Sequence, residues 1–125
     1  MSKRGLGPED IMHKQFGGLM RQYEGYGKLN CETWSYDGSG EKRNLITGAL
    51  LKAKGLRGGK SDYEFRKIIG RIMHHVYIEF KAPKGKQSEN QIRFQKTCDK
   101  TANNRYYLAY SVPEAIKILE KEEIL

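Results

Sequence analysis

Asp62, Glu79 and Lys81 are the residues of this chain whose types and spacing most readily suggest chemistry. Two carboxylates can chelate one divalent cation, and a lysine two residues beyond the second acid lies on the same face of an extended strand. Such a set suits hydrolysis of a phosphodiester. The cation activates water and neutralises the pentavalent phosphate, while a fixed ammonium positions the nucleophile or steadies developing charge. An isolated Glu-x-Lys is also common on half-exposed strands, so its surroundings must decide its meaning.

The elements that must position these residues follow from periodicity. Pro8 to Glu24 places Ile11, Met12, Phe16, Leu19, Met20 and Tyr23 at three- and four-residue spacings, predicting an amphipathic helix despite Gly17 and Gly18. Leu29 to Tyr36 alternates as a strand, and Asp37-Gly38-Ser39-Gly40 forms a turn. Asn44 caps a short helix that ends at Gly55. A strand from Asp62 to Arg66 breaks near Gly70 and returns to Lys81 as a hairpin. On the returning arm Val76, Ile78 and Phe80 face one way, and Tyr77, Glu79 and Lys81 the other. Neighbouring strands lie about 5 Å apart, so Asp62 and Glu79 can meet.

Pro83 stops that strand, and Ser88 with Gln91 forms an S-x-x-Q capping box opening a helix toward Lys100. Tyr106 to Tyr110 is a further strand, and Ser111-Val112-Pro113-Glu114 opens a terminal helix. The expected class is therefore α/β (α+β) in one domain, residues 1–125, a mixed central sheet flanked by helices in the order αβ(α)ββαβα.

Composition narrows the partners. Lys and Arg number 23 against 15 Asp and Glu, giving a formal charge of +8, which suits a polyanion such as nucleic acid. Neither a signal peptide nor a spanning apolar run is present, so a cytoplasmic location without membrane insertion is expected. Cys31 and Cys98 lack zinc spacing and are expected to be buried free thiols. Gly58-Gly59-Lys60-Ser61 lacks the first glycine of a phosphate loop, Lys54 standing there, which excludes a nucleotide cofactor.

Several segments together resemble the virus-type replication-repair nuclease (VRR-NUC) domain, a branch of the PD-(D/E)xK nucleases often found as stand-alone phage proteins. They are Gly40-Glu41-Lys42-Arg43, Leu51-Lys52-Ala53-Lys54-Gly55, Gly55 to Asp62, Ile78-Glu79-Phe80-Lys81 and Lys84 to Gln91, with Gln15 matching the family's helical glutamine. Ser61 stands where the family usually has proline before the catalytic aspartate, and Ile11 where many relatives carry an acid.

The resemblance implies a restriction-endonuclease-like core. It further implies that Asp62, Glu79 and the Phe80 carbonyl hold Mg2+, which Mn2+ can replace, that Lys81 acts on the water, and that Gln91 and Gln15 complete the site. It points to a homodimeric endonuclease for branched DNA, of the Holliday-junction resolvase type. The alternatives are a non-catalytic DNA-binding or recombination-accessory protein with the same fold, or a nuclease for flaps or linear duplex. Lys42, Arg43, Arg57, Lys60, Lys84 and Lys86 cluster in loops beside the proposed site as DNA contacts or as solubilising charges. Gln91 is equally explained by the capping box alone. His13, His74 and His75 are more simply packing or solvent-facing residues than ligands.

Overall fold

The computed structural model describes residues 7–37, 54 and 61–125. Helix α1 (Pro8–Gly25) is followed by strands β1 (Thr33–Tyr36), β2 (Tyr63–Ile69) and β3 (Ile72–Phe80), helix α2 (Glu89–Cys98), strand β4 (Asn104–Ala109) and helix α3 (Val112–Lys121). The four strands form one mixed sheet in the order β1-β2-β3-β4. The first two pairings are antiparallel and β3 runs parallel to β4. The turn from Asp37 into the next residues and the short helix expected from Asn44 lie, beyond Asp37, outside the described residues.

Alternation along the strands divides the molecule into layers. Tyr63 and Phe65 of β2 and Val76, Ile78 and Phe80 of β3 are buried on one face, beneath Met12, Phe16 and Met20 of α1 and Ala115 and Leu119 of α3. Positions 12, 16 and 20 recur every four residues, so they line one stripe of α1 and bury it completely against the sheet. Phe16 is in edge contact with Tyr63, Phe65 and Phe80. The opposite face is covered by α2, whose Phe94 meets the edges of Tyr77 and Tyr106.

Boundaries moved where hydrogen bonds outvote periodicity. The strand expected from Leu29 begins at Thr33, because the Asn30 N–H donates to the carbonyl of Ile124 in the C-terminal tail and not to a neighbouring strand. Cys98 is buried as expected, but Cys31, in that same irregular run, is only half-buried. Strand β2 continues past Arg66 to Ile69, and Gly70 and Arg71, both at positive φ (57° and 72°), form the turn. Two left-handed residues in a row match the right-handed strand twist, as a type I′ hairpin requires. Strand β4 starts at Asn104, not Tyr106, and ends at Ala109.

Candidate metal centre

The β2–β3 register determines what meets at the end of the sheet. Tyr63 pairs with Ile78, and one further step along the same register sets Asp62 opposite Glu79. The two carboxyls are near enough for each to shift the other's pKa. Oδ2 of Asp62 accepts a hydrogen bond from the Phe80 N–H at 2.8 Å. The N–H and C=O of one strand residue leave by the same edge, so the Phe80 carbonyl also points toward β2 and Asp62. Lys81 Nζ stands 4.0 Å from Glu79 Oε2, its side chain only 11% exposed.

Gln91 makes the cap and also reaches Glu79. Its Oε1 accepts from the Ser88 N–H at 2.8 Å while its own N–H donates to the Ser88 hydroxyl oxygen, closing the capping box of α2. Its Nε2 donates to Glu79 Oε2 at 2.9 Å. The cap therefore fixes a helix start and steers an acid at once. Gln91→Ala should cost about 1–2 kcal/mol of stability through the lost cap and the lost bond to a carboxylate. Ser88→Ala should cost about 1 kcal/mol through the cap alone. Urea unfolding of both variants measures the difference between them.

Burial shapes the electrostatics. Glu79 is 3% exposed, and its Oε1 has no donor among the described residues. Its carboxyl is pushed far above the usual carboxylate range, first by burial and then by the charge of Asp62, with Lys81 pulling the other way. Burial also raises Asp62, against the Phe80 N–H and His13. Two acids forced together out of water, with one oxygen unsatisfied, are the arrangement that a divalent cation relieves. Among the described residues no cluster of three or more His, Cys, Asp or Glu side chains is placed to hold a metal. Two carboxylates and one main-chain carbonyl would in general make a hard oxygen set of the kind Mg2+ or Mn2+ accepts.

Ser61 does without the expected proline. Fully buried, its hydroxyl donates to the Tyr63 carbonyl at 3.0 Å and so ties down the approach to Asp62 by a hydrogen bond. Lys84 and Lys86 lie exposed in the loop after β3, with Lys84 at φ 70°. Gly85 is required there, since a Cβ would stand 2.9 Å from the Ala82 carbonyl oxygen. Lys42, Arg43, Arg57 and Lys60 lie outside the described residues.

Gln15 is not brought to the acids. It is exposed on α1 and lines a shallow groove with Gln22 and Val112, because the helix turns positions 12, 16 and 20 inward and leaves 15 to one side. The part of α1 that reaches the site is the turn before it. His13 Nε2 is 3.7 Å from Asp62 Oδ2, its ring lodged against Tyr36, Tyr63 and Phe80, and the charge of Glu9 acts on both acids. Glu9 and His13 are four apart, hence on one helix face, and that spacing was the available signal. His75 and His74 do point to opposite faces, the first bonding Glu64 and the second meeting Arg105.

Comparison of the chain with protein-family models, with curated proteins and with solved structures finds no match. Among the described residues no helix is long and apolar enough to cross a membrane.

Proposed function

We propose that the chain is a metal-dependent endonuclease of the PD-(D/E)xK type, hydrolysing DNA phosphodiester bonds and selective for branched structures such as four-way junctions. The observation that carries this reading is the meeting of Asp62 and Glu79 at adjoining strand ends with Lys81 beside them. Asp62, Glu79 and the Phe80 carbonyl would hold Mg2+ or Mn2+, whose chemistry is to acidify water and neutralise charge on the phosphate.

The chain's own groups do the rest. Gln91 holds Glu79 in place through Nε2, and Glu79 Oε1 keeps no hydrogen-bond partner among the described residues. The Phe80 N–H holds Asp62. The Lys81 ammonium, largely shielded from solvent beside Glu79, would orient the attacking water and offset negative charge that grows on the phosphate. The excess of basic residues draws the polyanion to the surface. A two-fold homodimer would set two such sites to cut a junction in pairs.

The test is cleavage of a labelled four-way junction, a flap and a linear duplex in Mg2+ by the wild type, Asp62→Ala and Lys81→Ala. The wild type should cut the junction fastest, and both variants should bind it without cutting. If the wild type binds all three substrates and cuts none, the enzyme reading is lost and a DNA-binding protein remains.

A further inference from the structure

Beside the acids, on the other side of His13, a groove of about 540 Å³ runs between α1 and β1. Its volume falls within the roughly 300–1,000 Å³ of small-molecule sites. One wall is aromatic. Trp34 and Tyr36, two apart on β1, share a face, with Trp34 anchored by its indole N–H to Glu24 Oε2 at 3.1 Å and stacked on Phe65. The other wall is the stripe Lys14, Gly17, Gly18 and Arg21 of α1, in which both basic side chains are exposed.

The two glycines explain the opening. Adjacent glycines inside a helix each cost about 1 kcal/mol relative to alanine, so their place in α1 calls for a reason. A Cβ at Gly18 would meet nothing within 4 Å and one at Gly17 only the Tyr63 hydroxyl at 3.7 Å, so neither is demanded by packing. What they do is leave the groove without side chains between Lys14 and Arg21. Asp10, the one carboxylate among the lining residues, sits a turn before Lys14.

We infer that this groove receives one unpaired nucleotide of a DNA strand, its base stacked on the Trp34–Tyr36 wall and its flanking phosphates on Lys14 and Arg21. Stacking platforms flanked by basic side chains are how single-stranded nucleic acid is held without sequence preference. His13 lines the groove and stands 3.7 Å from Asp62, so the nucleotide would lie next to the phosphate to be cut. The inference rests on the nuclease reading and deepens it. The strand must be unstacked at the cut, as at a branch point or flap, and not continuous within a duplex.

Trp34 is the only tryptophan of the chain, and its emission reports on the wall directly. The full chain, in EDTA so that no cleavage occurs, is titrated with a short single-stranded oligodeoxynucleotide, the same oligonucleotide with one abasic position, a deoxynucleoside monophosphate and a duplex. The intact single strand should quench Trp34 and bind about 5- to 150-fold more tightly than the abasic one. Tyr36→Ala should lose that difference. Gly18→Leu, which fills the groove while favouring the helix, should lose quenching with the fold intact by circular dichroism.

Equal quenching by intact and abasic strands, or unaltered binding to Gly18→Leu, overturns the inference. So does a monophosphate that binds as tightly as the strand, since the groove would then be a site for free nucleotides. A wild type that shows base-dependent binding here but cuts nothing loses the nuclease reading alone. One that cuts but binds without regard to the base loses this inference alone.

Discussion

Glu79→Gln should make the metal-free protein more stable, should remove the stabilisation that Mn2+ gives the wild type and, on the nuclease reading proposed above, should abolish cleavage. The carboxyl at 79 is buried against Asp62 and pushed upward in pKa, burial being the larger cause and the neighbouring charge the next. The folded state therefore binds a proton that the unfolded chain, with an ordinary glutamate near 4.3, has already released. With more protons on the native state, metal-free stability is fully present below the unfolded pKa and is lost as pH rises toward the folded one. Glutamine has no proton to lose and keeps an oxygen for Gln91 Nε2. At neutral pH the gain should be about 1–3 kcal/mol, a shift of several degrees in midpoint. Saturating Mn2+ should reverse the order, since a ligand at about a thousandfold its Kd adds about 4.1 kcal/mol to whichever protein binds it. Thermal unfolding in EDTA and in Mn2+ at two pH values checks both halves. Equal stabilisation of the two proteins by Mn2+ would remove Glu79 from the metal site.

The readable part of this design is local. Alternation on β3 was enough to set Glu79 and Lys81 on one face, and S-x-x-Q was enough to start α2, because a strand's period and a cap's hydrogen bonds depend only on neighbours. The pairing of Asp62 with Glu79 needed the turn at Gly70 and Arg71 to fix the register, and a two-residue turn does so whatever the rest of the chain does. The approach of α1 was not readable in the same way. A helical stripe tells which face is buried but not how the helix is rotated or shifted over the sheet, and a shift of half a turn exchanges Gln15 for His13 and Glu9 at the acids. The onset of β1 was hidden for a similar reason. The residues just before it bond to the C-terminal tail, a contact between Asn30 and Ile124 that no window along the sequence contains.

That tail is the basis of the second large effect, a loss of about 2–4 kcal/mol in Arg105→Ala. Glu122 follows the last turn of α3 with its side chain 8% exposed, and Arg105 of β4 meets it with Nε at 2.8 and 2.7 Å from the two oxygens and a terminal nitrogen at 2.6 Å. The Tyr107 hydroxyl donates to the same carboxylate. Burial alone would raise this acid, but the Arg105 and Tyr107 hydrogen bonds outweigh it and hold the carboxyl below the usual range. Removing the guanidinium leaves a largely buried carboxylate with the Tyr107 hydroxyl as its remaining hydrogen-bond donor among the described residues, the costly half of breaking such a pair. The cost reaches beyond the pair. The residues just after Glu122 tie the tail to the far side of the sheet, with the Asn30 amide and Lys67 ammonium donating to the Glu123 carbonyl and Ile124 fully buried. A depressed folded pKa contributes stability above the unfolded value of about 4.3 and loses it as pH falls through the folded one. The difference between wild type and Arg105→Ala should accordingly be greatest at neutral pH and shrink in acid, where Glu122 is protonated in both. Urea unfolding across that range measures it. A difference that stays constant down to strong acid would assign the loss to packing of the arginine stem over the sheet and not to its charge.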